Sequence, residues 1–233
     1  MEPLLPAIEM ETGESPRFSI IWLHGLGADG SDFVPVVEEL QLPAEYPIRF
    51  VFPHAPHIPV TCNGGYIMRA WYDIVSLDSR SRHVDDPGIR ASCEAVGRLI
   101  ERENERGVPS ERVFLAGFSQ GGAIAYTTAL TYPHRLAGVI ALSTYIPGPG
   151  RLAHEAAAAN RGIACFAGHG SDDEVVAIDL GIAARNFLQQ HGYPVEWHTY
   201  SMTHSVCQEE LTDIGLWLTR KMAAAGDCLP ESE

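Results

Sequence analysis

The 233-residue chain places a serine, an aspartate pair and a histidine, in that order, each just after an apolar run. A serine hydroxyl is a weak nucleophile until a base takes its proton, and that base needs a third group to hold its tautomer and stabilise the cation that forms. Ser119 lies in Gly117-Phe118-Ser119-Gln120-Gly121, a G-x-S-x-G pattern between the apolar run Arg112–Ala116 and the helix-like stretch Ala123–Leu130. Strand, tight turn, helix is the context in which this pattern lifts a serine hydroxyl to the top of a sheet. Small residues on either side let the chain turn and a substrate approach. Ser119 is the candidate nucleophile.

Ten histidines compete for the role of base. His24 belongs to a glycine loop, His198 falls within a predicted strand, and His134, His154 and His191 stand at helix ends. His204 follows the last predicted strand, after both other groups, and is the candidate base. For the acid, Asp172 and Asp173 are neighbours, and either can orient an imidazole. The loop His24-Gly25-Leu26-Gly27-Ala28-Asp29-Gly30 contains neither G-K-[ST] nor G-x-G-x-x-G, which argues against a phosphate cradle. It suits a loop that turns a backbone N–H toward a developing oxyanion, with Leu26 as one donor and Gln120, the residue after the nucleophile, as the other. His54 and His57 are spaced H-x-x-H with no third convergent ligand, so no metal is expected.

These groups need a scaffold that brings them to one edge. Period-2 or continuous apolar runs predict strands over Arg17–Leu23, Ile48–Phe52, Arg112–Ala116, Leu136–Leu142, Gly162–Ala167 and Val195–Tyr200. Helical spacing is found over Ser31–Leu40, Gly88–Arg106, the stretch after Ser119, His154–Asn160, Ile178–Gln190 and Ser205–Ala225. Such alternation predicts an α/β fold, a mostly parallel central sheet with helices on both faces. Ser119, Asp172, Asp173 and His204 then all fall beyond the carboxyl ends of strands, where sites in these sheets form. The order serine, acid, histidine is that of α/β-hydrolases.

From His54 to Pro87 the chain has no clear helical period and is rich in proline and glycine. A connection of that length is usually functional or mobile. Its Tyr66, Met68 and Trp71, with Tyr145 from a second rim loop over Ser143–Gly150, are expected to line an apolar ligand site, ordinary packing over the sheet edge being the alternative. The loop is expected to open for acyl chains.

The length fits one α/β domain over residues 1–233, with residues 1–16 and 226–233 as peripheral tails. The net charge of -14 and pI near 5.1 argue against nucleic acid and against strongly anionic membrane surfaces. Met1–Pro16 lacks the basic and apolar regions of a signal peptide, and no apolar run approaches the roughly 20 residues of a membrane span. Five scattered cysteines indicate neither a disulfide framework nor a zinc site, and a reducing, cytoplasmic setting is the simplest expectation.

Four ordered motifs carry a resemblance: Trp22-Leu23-His24-Gly25-Leu26-Gly27, Leu115–Gly122, His169-Gly170-Ser171-Asp172-Asp173 and Met202–Gln208. With Asn63-Gly64-Gly65 and Ala70–Ile74, they make the chain resemble the carboxylesterase, lysophospholipase and acyl-protein thioesterase family, from about Arg17 to about Ala223. That resemblance implies an α/β-hydrolase fold without a large lid domain. It places the acid at Asp173, the fifth residue of His-Gly-x-x-Asp. It implies hydrolysis of carboxylic esters or thioesters through an acyl-enzyme, with a small ester, a lysophospholipid or an acylated protein as substrate. No cofactor is implied, and a homodimer is common. Gly168 departs from the family pattern, which more usually has an apolar residue there. The rival expectation is a catalytically silent member that binds acyl groups or lipid, against which the intact Ser119, Asp173 and His204 speak.

Overall fold

The computed structural model describes residues 3–77 and 82–226. In chain order the elements are β1 (Ala7–Glu11), β2 (Phe18–Leu23), α1 (Val36–Glu39), β3 (Ile48–Pro53), β4 (His57–Val60), β5 (Tyr66–Arg69), β6 (Ile74–Leu77), β7 (Arg82–Val84) and α2 (Asp86–Glu105). They continue with β8 (Val113–Phe118), α3 (Gln120–Thr131), β9 (Gly138–Leu142), α4 (Pro149–Glu155), β10 (Cys165–Gly170), α5 (Ile178–Gln190), β11 (Val195–Tyr200) and α6 (Gln208–Gly226). The central sheet has the order β1-β3-β2-β8-β9-β10-β11. All its pairings are parallel except β1 on β3.

Alternation along the strands divides the core into two layers. Ile21, Leu23, Val113, Leu115 and Val139 face one side, where they pack with Ile89, Val96 and Ile100 of α2 and with Ile124 and Leu130 of α3. Ile20, Trp22, Phe114, Ala116 and Ile140 face the other, against Val36 of α1 and Leu211, Ile214, Trp217 and Leu218 of α6. Each such aliphatic side chain, fully removed from water, contributes about 2 kcal/mol. β8 is central in both layers: its Leu115 pairs with Ile21 of β2 and with Val139 of β9. The strand that ends in Ser119 is therefore held on both edges and both faces.

Several expectations need correction. Residues 1–16 are not simply a tail, because β1 pairs antiparallel with β3 from Ala7 opposite Pro53 to Glu11 opposite Arg49. The predicted helix over Ser31–Leu40 is reduced to the single turn of α1. Pro35 removes a donor in its middle, and the residues around it run as i to i+3 turns, among them Val34 N–H to Ser31 O and Val36 N–H to Phe33 O. The helix expected over His154–Asn160 begins earlier and ends at Glu155. Gly148, at φ 58°, and Pro149 start it, while Asn160 is diverted to bind Leu136 N–H and the carbonyls of Tyr132 and His134. The long connection after β3 contains two antiparallel strand pairs, β4 with β5 and β6 with β7. Part of the segment expected to open, residues 78–81, lies outside the described residues.

Candidate active site

Ser119 sits between β8 and α3 with φ 54° and ψ -118°, a conformation that side-chain-bearing residues rarely adopt. Its neighbours explain how the chain tolerates it. A β-carbon at Gly117 would overlap the backbone of Gly121, and one at Gly121 would overlap the carbonyls of Leu23 and His24. One at Gly122 would stand 2.7 Å from Thr144 Cγ2. The turn is pinned by Ser119 N–H to Leu142 O at 2.9 Å and by Thr144 Oγ1, which donates to Ser119 O at 2.6 Å. Its hydroxyl therefore has a fixed starting position.

The three groups expected to act together converge. His204 Nε2 accepts from Ser119 Oγ at 2.9 Å, and His204 Nδ1 donates to Asp173 Oδ2 at 2.7 Å. Asp173 is buried, and its other oxygen accepts from Val175 N–H at 2.9 Å and Val176 N–H at 2.8 Å. Asp172, which spacing alone left as an equal candidate, is exposed and accepts from Ser171 Oγ. The choice is made by the loop backbone, which turns one carboxylate inward and its neighbour out. Serine to imidazole to carboxylate forms a continuous chain able to move a proton off the hydroxyl and stabilise the resulting cation.

Leu26 and Gln120 both line the cavity at Ser119, and neither backbone N–H has an acceptor among the described residues. Around them the loops interlock. His24 is buried, donates through Nδ1 to Gly25 O at 2.7 Å and accepts at Nε2 from Ala55 N–H at 3.0 Å. Burial holds its pKa below the ordinary value, so the ring is neutral and works as a bracket. Trp71 Nε1 donates to His24 O at 2.8 Å, and Gly27 N–H to Arg69 O at 2.9 Å. The Gln120 side chain accepts from Trp71 N–H at 2.8 Å and donates to Tyr72 O at 2.7 Å. These contacts join the glycine loop, the long connection and the residue after the nucleophile.

The cavity at Ser119 has a volume of about 220 Å³ and is walled by Leu26, Ile74, Phe118, Tyr145 and Val175, with Asp32 at its edge. Of the expected lining residues, Tyr145 stands on its wall and shares a 2.7 Å hydroxyl-hydroxyl hydrogen bond with Tyr72. Trp71 is 2 % exposed and serves packing and the His24 bracket, while Tyr66 is 69 % exposed on the β4–β5 hairpin. Met68 lies against Gly27 and accepts a long contact from Asn63 Nδ2. Neither Met68 nor Trp71 nor Tyr66 reaches the cavity wall. Ile74 and Val175 were not singled out from the sequence, although Val175, two residues after the acid, had a position that could have suggested it. A larger hollow of about 660 Å³ lies beyond Tyr145, between residues 145–149 and α5, and carries no acid, histidine or thiol. Among the described residues no group of three or more His, Cys, Asp or Glu could hold a metal; His54 instead accepts from Gly30 N–H.

The sequence model of the phospholipase/carboxylesterase family matches residues 6–221. The chain is 37 % identical to acyl-protein thioesterase 1 of Mycosarcoma maydis over 231 residues, covering 93 % of this chain and 96 % of that one. It is 37 % identical to acyl-protein thioesterase 1 of Saccharomyces cerevisiae over 216 residues, 89 % of this chain and 94 % of the relative. The crystal structure of Zea mays acyl-protein thioesterase 2 superposes with a TM-score of 0.82 at 27 % identity, covering 93 % of this chain and 99 % of that one.

Proposed function

This chain belongs to the phospholipase/carboxylesterase family of α/β-hydrolase fold, and from that premise we propose that it is a serine hydrolase that cleaves carboxylic esters and thioesters with Ser119, His204 and Asp173 as its triad. The observation that carries the reading is the unbroken relay from Ser119 Oγ through His204 to Asp173, set at the wall of an apolar cavity. Ser119 attacks the acyl carbon as its proton passes to His204 Nε2, and Asp173 stabilises the imidazolium. The tetrahedral oxyanion is received by the N–H groups of Leu26 and Gln120, each worth roughly 3 kcal/mol of transition-state stabilisation. Its collapse expels the alcohol or thiol, which takes the proton from His204. Water, deprotonated by the same imidazole, then attacks the acyl-serine and releases the acid.

The apolar wall suits the acyl part of the substrate, and the relatives named acyl-protein thioesterase favour a thioester on a protein. Small esters and lysophospholipids share the same reacting carbonyl. The reaction as written needs no cofactor. No helix among the described residues is long and apolar enough to cross a membrane. A cytoplasmic setting is part of the proposal, on the scattered spacing of the cysteines in the sequence.

Mass spectrometry after fluorophosphonate treatment tests the reading. An adduct on Ser119 in the native protein, absent after heat unfolding and absent in Ser119→Ala, supports it. Native protein that gives no adduct and hydrolyses neither of a matched ester and thioester pair refutes it.

A further inference from the structure

Asp173 can serve His204 only if its loop holds one carboxylate oxygen toward Nδ1, and the exposed neighbour Asp172 shows that the local sequence does not compel this. The start of that loop is tied to the β11 side by Ser171 N–H to Tyr200 O at 2.8 Å and Asp172 N–H to Met202 O at 3.1 Å. Its far end is organised around Val176, which is fully buried. Val176 N–H points back to Asp173 Oδ1, while Val176 O points into the interior and accepts from His169 Nε2 at 2.8 Å.

His169 lies four residues before the acid, near the end of β10, and is 1 % exposed. Its ring occupies the space left by Gly181 of α5, where a β-carbon would overlap His169 Nδ1, and it stacks on Trp197 of β11. Burial first of all keeps its pKa below the ordinary value, against the opposing influence of the bond to Val176 and of Asp173. The ring is thus neutral with its proton on Nε2, the atom that faces the carbonyl. That same Nε2 lies 3.6 Å from Asp173 Oδ2, too far for a hydrogen bond. Its N–H dipole nevertheless favours the carboxylate without taking the oxygen that His204 uses.

We propose that His169 is a positioning residue for the triad: it closes a ring of contacts, from its own Nε2–H to Val176 O, from Val176 N–H to Asp173 Oδ1, and from Asp173 Oδ2 to His204. The inference rests on the triad reading above and adds to it a histidine that touches no substrate. Neutrality is part of the role, because a cation here would compete with the His204 imidazolium for the same carboxylate. The titratable groups that face His169 are Asp173 and His204, and Gly181 and Trp197 contribute none. His204 is faced by Asp173 and Ser119, with Asp32 across the cavity.

The test compares His169→Met with His169→Gln, two side chains of similar length of which only glutamine carries a donor, using kcat, KM and the pH dependence of kcat/KM on a short-chain ester. In H169M, kcat falls by roughly 10- to 100-fold, the cost known for outer groups that orient metal-binding histidines and carried over to this oriented carboxylate, with KM unchanged. The acid limb of kcat/KM also moves to lower pH, by about one unit for a tenfold weaker hold on the protonated His204, and H169Q recovers both. Gly181→Ala, which displaces the same ring from α5, gives the same limb shift and serves if H169M does not fold. A folded H169M or G181A whose limb stays in place, whether or not its rate falls equally at every pH, overturns the proposal. A wild-type protein with no hydrolytic activity and no fluorophosphonate adduct at Ser119 overturns the triad reading itself, and this inference with it.

Discussion

Glu210, in the first turn of α6, extends its Oε1 into the space that a β-carbon at residue 168 would fill, so the absence of a side chain at Gly168 in β10 and the presence of a buried acid on α6 are one feature. Glu210 is fully buried, and neither of its oxygens has a hydrogen-bond partner among the described residues. Burial, with a smaller contribution from Asp213, pushes its pKa from 4.5 up to about 8. The folded protein therefore holds a proton that the unfolded chain releases above its own pKa. The stabilising proton is fully in place below pH 4.5 and its benefit is lost as pH rises toward 8. Relative to Glu210→Gln, the wild type is expected to lose on the order of 5 kcal/mol of stability across that window. Urea denaturation of both proteins in matched buffers measures it, and parallel curves would remove the acid from the account.

The two neighbouring aspartates are expected to separate sharply. Asp173→Asn leaves the imidazole with the wrong tautomer and lowers kcat by roughly 10⁴-fold, as in other Ser-His-Asp sites. Asp172→Asn, on an exposed side chain, leaves stability within about 0.5 kcal/mol and the rate near that of the wild type. Steady-state kinetics on one ester decide between them, and equal losses would show that the loop does not discriminate as drawn.

Gln120 holds the long connection through its side chain, apart from the oxyanion contact proposed for its backbone N–H. Gln120→Met keeps the backbone N–H and strands Trp71 N–H and Tyr72 O in a buried setting, at roughly 1–3 kcal/mol for each group. Because Ile74 follows them on the cavity wall, KM is expected to rise more than kcat falls. Separate kcat and KM values read this, and a variant with unchanged KM would mean that the connection holds its place without the glutamine.

β1 is clamped as well as paired. Arg49 bridges Glu11 at 2.8 Å and the fully buried Glu103 at 2.9 Å, while Arg102 and Arg106 hold Glu9 at 2.7 and 2.8 Å. Arg49→Met removes a partner from a buried carboxylate and is expected to destabilise the fold by about 3 kcal/mol. The site lies at the other end of the sheet, so kcat at 25 °C should stay close to the wild-type value. Denaturant midpoints and kinetics on the same sample test both halves, and an unchanged midpoint would make the network incidental.

How much of this was legible in the chain differs by element. Val195–Tyr200 and Ile178–Gln190 were read with their observed bounds, because each is a single periodic run with turn residues at both ends. The helical spacing of Phe33, Val36 and Leu40 predicts a longer α1 than forms, because Pro35 between them interrupts the helix. β1 was missed because a short strand paired antiparallel to a segment some 40 residues later carries no local sign of its partner. For Trp71 the chain left a ligand wall and ordinary packing both open, and the structure gives packing, its indole N–H donating to His24 O, 47 residues away.

By itself, the sequence determined what depends on order and period: a parallel sheet with helices on both faces, a strained serine turn after one strand, and an acid and a histidine after later strands on the same edge. Local sterics and hydrophobic periodicity act over a few residues and can be read there. The resemblance named Asp173 as the acid, but only the tertiary structure shows how the loop turns it inward and Asp172 out, which contacts hold the loops of Leu26 and Gln120, and that His169 and Gly181 share one space. Those outcomes depend on hydrogen bonds and volumes contributed by residues far apart in the chain, and such contacts exist only once the chain has closed around them.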